Sequence, residues 1–219
     1  MVKIERSFPA PKSLAKESMK ENGSYSEADV IEQLKKDFNN KCYICEMKEL
    51  QDPQVEHLLP HKNGKFKERK FDWENLFWSC GHCNGVKNKD KYDTGILNCC
   101  KKDPEEAIFF GLKENNINVA AKNLSDEKAV LAAQLVEEVF NVSNTGMRIY
   151  KSELRMKKLQ EEMNVLYTKL DAYKRKPNSK PVLKTLQALL RRETAFAGFK
   201  RCYIRTHSEE FPELQKYIA

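Results

Sequence analysis

Cys42-Tyr-Ile-Cys45 and Cys80-Gly-His-Cys83, two Cys-x-x-Cys knuckles with 34 residues between them, decide how this chain folds. Four thiolates from such a pair complete a tetrahedral zinc at about 2.3 Å each and leave no open position, so the metal they predict is structural. A redox Cys-x-x-Cys usually stands alone in a βαβ setting, and a pair of disulfides needs an oxidising compartment. Neither suits a doubled knuckle in a sequence that opens without a signal peptide. His82 is a spare ligand inside the second knuckle, but four cysteines already fill the set, and it reads as a solvent-facing residue.

Between the knuckles, Gln54-Val-Glu-His-Leu-Leu-Pro60 predicts a short strand closed by proline, which cannot continue a central ladder. Strand alternation puts Glu56 and His57 on opposite faces unless a bend intervenes. Lys62 to Lys70 follows as a loop with five basic residues against one acid. Asp72-Trp-Glu-Asn75 then leads into Leu76-Phe-Trp-Ser79, an aromatic run that suits a second strand pairing back on the first. From Cys83 to Asn88 a short helix begins, with Asn84 and Lys87 three apart on one face. The expected order is strand, loop, strand, helix, with the metal pinning its ends.

Glu56-His57, Asn75 and Cys80-x-x-Cys83-Asn84-x-x-Lys87 resemble the HNH motif of the ββα-metal endonucleases. The resemblance extends to the HNH nuclease subunits of the Septu and retron-associated anti-phage systems. These share an early Cys-x-x-Cys, Glu-His-x-x-Pro, Asp-Trp-x-Asn-Leu and Ser-Cys-x-x-Cys-Asn-x-x-Lys. Here they stand as Glu56 to Pro60, Asp72 to Leu76 and Ser79 to Lys87. Looser echoes follow at Leu97-Asn98, Asp103-Pro104-Glu105-Glu106 and Phe199 to Arg205.

That resemblance implies metal-dependent cleavage of DNA phosphodiester bonds by the effector nuclease of a defence system, working with an ABC-type ATPase encoded beside it. It makes His57 the general base that deprotonates water and Asn75 the residue that ties the connecting loop and orients that base. Asn84 stands where many members carry the last histidine, and with Glu56 it holds the catalytic cation. A carboxylate and an amide carbonyl are hard oxygen ligands, which suit Mg²⁺ or Mn²⁺. Lys87 is the candidate phosphate contact, and His61 a candidate substrate-facing group. Such a small unit buries little core, so a structural zinc supplies stability that burial cannot. The competing reading, of another class, is a zinc-ribbon module that binds nucleic acid or protein without catalysis. Glu56-His57 argues against it, because binding alone needs no base beside an oxygen ligand. A homing or restriction nickase would keep the chemistry and change its setting.

At 219 residues the chain allows one domain or two small ones. The division expected is an HNH module over residues 1–100 and a mainly α-helical basic region over 101–219, an α+β chain overall. Charged residues make up 32%, and no apolar run approaches about 18 residues, which excludes a membrane-spanning helix and points to a cytoplasmic protein. Cys99, Cys100 and Cys202, outside the zinc set, read as reduced, packed thiols. Lys and Arg number 17 against 16 acids over residues 1–100, but 16 against 5 from Arg148 to Arg205, so the net charge of +7 points to phosphate contact by the second half.

Ser26-Glu-Ala-Asp29 resembles a capping box for a helix into the first knuckle, and Ser125 a cap for a helix over 126–140 with Val130, Leu131, Leu135, Val139 and Phe140 inward. From Met147 to Lys174 one stripe, Leu159, Met163, Leu166, Leu170 and Tyr173, is apolar and packs internally or on the ATPase. Another, Arg148, Lys151, Arg155 and Lys158, is basic and faces DNA. Asn115 to Val119 reads as a short strand, Val182 to Ala195 as a helix after the Pro177 and Pro181 break, and Phe211 to Ile218 as the closing turn.

Overall fold

The computed structural model describes residues 1–113, 116–141 and 146–219, apart from the side chain of Arg148. The chain enters through helix α1 (Lys12–Glu17) and helix α2 (Ala28–Asp37). Val30, Leu34 and Phe38, four apart, bury one face of α2 and its end, and Phe38 meets Phe77 edge-on at 5.6 Å. Asn39 and Asn40 then turn the backbone through left-handed conformations (φ 54° and 50°), which asparagine tolerates better than most residues, and deliver it to the first knuckle. The expected capping box does not form. Glu27 is the N-cap and makes no side-chain bond, because the Asp29 carboxylate accepts from Ser13 of α1.

Strand β1 (Pro53–His57) and strand β2 (Leu76–Cys80) pair antiparallel, with His57 opposite Leu76 and Pro53 opposite Cys80. The linker between them holds a 3₁₀ turn at Lys62–Gly64 and helix α3 (Lys67–Lys70), so the basic loop is partly helical. Helix α4 (Gly81–Lys87) follows β2 directly, and β1, β2 and α4 give the strand, strand, helix order read from the sequence. Arg6 closes the back of this unit. Its guanidinium donates to the carbonyls of Leu76 (2.6 Å) and Trp73 (2.7 Å) and stacks 3.9 Å over the Trp73 ring.

Beyond it come helix α5 (Pro104–Ala107) and a second hairpin, strand β3 (Ile108–Lys113) and strand β4 (Asn116–Ala121). Only the second strand is legible in the sequence, and Asn115 lies outside the described residues. Helix α6 (Glu127–Phe140) is capped by Asp126, which accepts from the Ala129 N–H at 3.1 Å, one residue beyond the expected serine. Its inner face is also shifted: Ala129, Ala132, Ala133, Leu135, Val136, Val139 and Phe140 are buried, while Val130 and Leu131 are half-buried.

Helix α7 (Gly146–Arg175) buries the whole stripe Leu159, Met163, Leu166, Leu170 and Tyr173 within the protein. Helix α8 (Lys180–Leu189) ends earlier than expected. Helix α9 (Ala197–Thr206) and a 3₁₀ turn (Pro212–Tyr217) complete the chain.

The two expected regions share one continuous hydrophobic core. Lys41, beside the first knuckle, donates to the carbonyls of Arg192 (2.5 Å) and Thr194 (3.1 Å), and Glu46 accepts from the Gly198 N–H at 2.8 Å. Among the described residues the architecture is mixed helix and strand, with two small antiparallel sheets and one buried four-cysteine cluster. Among the described residues, no helix is long and apolar enough to cross a membrane.

Candidate metal centre and catalytic cavity

The Sγ atoms of Cys42, Cys45, Cys80 and Cys83 lie within 4.8 Å of one another and all four residues are buried, so they can hold one metal ion such as zinc. Backbone geometry builds the first knuckle: the Glu46 N–H bonds the Cys42 carbonyl at 2.9 Å and the Cys42 N–H bonds that of Met47 at 3.0 Å. The second knuckle straddles the end of β2 and the first turn of α4. Burial raises the Cys42 and Cys83 thiols, while hydrogen bonds from Cys42, Cys45 and Cys83 drive Cys80 well down.

Arg155 corrects the expectation of a basic stripe facing DNA. It is 5% exposed and donates to Cys80 Sγ at 3.0 Å from the middle of α7. Burial works against its charge, but the thiolates of Cys45, Cys83 and Cys80 outweigh that and raise its pKa. Four thiolates on a divalent ion carry a net negative charge, so a buried guanidinium belongs here. Of the remaining stripe, Lys158 pairs with Glu161, Lys151 is half-buried, and the Arg148 side chain lies outside the described residues. Other basic residues of this half are also engaged internally: Lys200 pairs with Glu162, and Arg192 and Arg201 with Glu105.

His82 is likewise not solvent-facing. It is 4% exposed, and its Nε2–H donates to the Val139 carbonyl at 2.9 Å, an acceptor shared with Ser152 Oγ at 3.1 Å. The orphan carbonyl in the last turn of α6 thus ties the second knuckle to α7. Arg155→Met is expected to destabilise the protein by about 3 kcal/mol, because it leaves buried negative charge without its partner. Urea unfolding of the zinc-loaded protein measures this, and an unchanged midpoint would contradict it.

On the other side of β1, a cavity of about 460 Å³ is bordered by Glu56, His57, His61, Asn84 and Lys87, with Tyr25 and Asp93 at its walls. Glu56 and His57 both reach it although they are adjacent on a strand, because β1 ends at His57 and the chain bends there. The His57 Nε2–H donates to the Lys70 carbonyl at 3.1 Å, which leaves the Nδ1 lone pair free to accept a proton. Burial, offset by that bond and reinforced by the positive charge of His61, Lys87 and Lys70, lowers its pKa to about 4. At neutral pH this imidazole is therefore an uncharged base.

Asn75 fixes that geometry from the linker. Its Oδ1 accepts from the Leu59 N–H (2.8 Å) and its Nδ2 donates to the carbonyls of Leu59 and Arg69 (2.9 Å each). It holds the residue next to Lys70, and thereby the carbonyl to which His57 donates. Asn84 Nδ2 donates to Gln54 Oε1 at 2.6 Å.

Lys87 is turned inward, away from the phosphate-contact role read from the sequence. It is 6% exposed, and its ammonium has three acceptors: Glu56 Oε1 (2.6 Å) and the carbonyls of His57 (3.0 Å) and Leu58 (3.1 Å). Glu56 Oε2 accepts from the Tyr43 hydroxyl at 2.7 Å. Burial raises the Glu56 carboxyl above its ordinary range, and Lys87 and Tyr43 offset part of that rise. Glu56 and Asn84 both border the cavity, with both Glu56 oxygens engaged, one by Lys87 and the other by Tyr43.

Sequence reasoning assigned Arg155 to DNA and passed over Arg6, Tyr43 and Tyr25. Each reaches the site from a separate segment, and no local spacing signals such a contact. No family model matches this chain, and no curated protein matches its sequence.

Proposed function

We propose that the chain is a metal-dependent endonuclease of the HNH type that hydrolyses DNA phosphodiester bonds, with a structural zinc at Cys42, Cys45, Cys80 and Cys83. In this reading it is the effector nuclease of a bacterial anti-phage system, acting in the cytoplasm beside an ABC-type ATPase. The observation that carries the proposal is His57: a neutral imidazole with its Nε2–H committed to a backbone carbonyl, its other nitrogen available, and a polar cavity beside it. Its place at the end of β1, with Asn75 tying the linker to β2, agrees with the residue order of the resemblance.

In the proposed reaction the His57 Nδ1 takes a proton from water, and Asn75 holds the ring's acceptor in place through the Arg69 backbone. Lys87 fixes the backbone at His57 and Leu58 by its two carbonyl contacts. Glu56 and Asn84 would hold Mg²⁺ or Mn²⁺, with Lys87 yielding its place on the carboxylate. When bound there, the cation would supply Lewis acidity at the scissile phosphate.

Two outcomes test this. EDTA is expected to stop cleavage of plasmid DNA and added Mg²⁺ or Mn²⁺ to restore it, while one zinc per chain remains by elemental analysis; cleavage indifferent to EDTA would count against the cation. A base works when it is deprotonated, so protonation of His57 itself should not slow the reaction until pH nears its lowered pKa of about 4. At saturating Mn²⁺, which opposes protonation of Glu56, single-turnover rates should show no decline centred near the ordinary histidine value of about 6.5, and such a decline would contradict the buried, neutral base.

A further inference from the structure

We propose that His61 is a second catalytic residue, an N–H donor that holds the departing oxygen while His57 deprotonates water. This assignment rests on the phosphodiesterase reading above and gives it a missing half.

Both histidines are held in the Nε2–H tautomer by backbone groups whose roles are not interchangeable, and each backbone contact leaves the opposite nitrogen free. A carbonyl only accepts, so His57, facing the Lys70 carbonyl at 3.1 Å, carries its proton on Nε2. An amide N–H only donates, so His61, whose Nδ1 shares the Gly64 N–H (3.2 Å) with its own backbone carbonyl (3.1 Å), keeps a lone pair on Nδ1 and its proton on Nε2. The turn that makes this second contact depends on Gly64, whose φ of 90° suits glycine. One ring therefore offers an acceptor and the other a donor.

Both rings line the cavity and pack edge to face, with centroids 4.7 Å apart and planes at 66°. The Tyr25 ring packs edge-on against both, at 4.5 Å from His57 and 6.0 Å from His61. His61 is half-buried, open enough to meet a substrate. In-line displacement at phosphorus puts the attacking and leaving oxygens on opposite sides, and paired catalytic metals that serve both sit about 3.5–4 Å apart. A free acceptor on one ring and a free donor on its neighbour are the two functions that the attacking and leaving oxygens require.

Bonds and protons balance as follows. The water oxygen bonds to phosphorus as His57 Nδ1 takes its proton. The bond from phosphorus to the leaving oxygen breaks with its electron pair on that oxygen, which His61 Nε2–H holds by a hydrogen bond. The proton on His57 then passes through solvent to the leaving alkoxide. His61 stays neutral throughout and supplies charge stabilisation rather than a proton.

Asparagine at position 61 can keep an acceptor for the Gly64 N–H while removing the distal donor, and glutamine can place an N–H near the Nε2 position. With Mn²⁺-supplemented protein, His61→Asn should slow cleavage of ordinary DNA on the order of 10²-fold, the usual effect of removing one preorganised donor. His61→Gln should recover most of that loss. On DNA carrying a single bridging phosphorothiolate, whose leaving sulfur needs no such donor, His61→Asn should stay within about threefold of the wild-type rate. Equal losses on both substrates, or no loss on either, would overturn the assignment while leaving a His57-dependent nuclease in place. If wild-type protein cleaves neither substrate, the nuclease reading and the role of His61 fall together.

Discussion

Cys80→Ser is expected to leave the chain without a stable fold. Cys80 ends β2, opens α4, belongs to the four-thiol cluster and accepts the Arg155 hydrogen bond, so a single change removes a metal ligand and strands a buried guanidinium. Structural zinc contributes on the order of 10 kcal/mol in small zinc-binding peptides, comparable with the entire net stability of a typical domain, about 5–15 kcal/mol. The damage should spread beyond the ββα unit, because α7, α9 and the first knuckle share one core. Elemental analysis should find one zinc per chain in wild-type protein and less in the variant, with loss of the cooperative unfolding transition. Cys202→Ser, by contrast, removes a thiol that only accepts from the Phe110 N–H at 3.4 Å and should leave zinc content unchanged. A folded, zinc-free wild-type protein would contradict the proposed role of the cluster.

The ββα order was legible in the sequence because its signals are local: proline after β1, an aromatic run for β2, and cysteines at knuckle spacing. The inward stripe of α7 was legible for the same reason, since Leu159, Met163, Leu166, Leu170 and Tyr173 repeat at the period of a helix. Polar side chains resisted the same treatment. Arg155 sits on a face whose other members are basic, and nothing nearby distinguishes a buried guanidinium from a solvated one; its partner is 75 residues away in sequence. His82 was misjudged because its acceptor, the Val139 carbonyl, belongs to an α6 turn that spacing within the knuckle cannot reveal. Lys87 shows a third limit: the motif fixes its place on α4, but only the fold shows its ammonium turned towards Glu56 and two carbonyls.

His57→Ala is expected to abolish DNA cleavage while preserving fold and zinc. General base catalysis is worth roughly 10²–10⁴-fold, so the loss should be plain on a gel. The imidazole lies outside the thiol cluster and makes a single backbone hydrogen bond, to Lys70. Its truncation leaves space beside Tyr25 and His61 without exposing a metal ligand. Asn75→Ala should also impair cleavage, but with a cost in stability, because three hydrogen bonds to the backbone of Leu59 and Arg69 disappear with it. Undiminished cleavage by folded His57→Ala protein would remove the base from the mechanism.

The most direct measurement of phosphodiester hydrolysis is single-turnover cleavage of DNA in ¹⁸O-labelled water, with excess zinc-loaded protein and Mn²⁺, followed by mass spectrometry of the cut ends. The predicted result is one labelled oxygen in each newly formed terminal phosphate with wild-type protein, and no product with His57→Ala. Intact DNA in the presence of folded, zinc-loaded wild-type protein, or labelled ends formed equally by the variant, would contradict it.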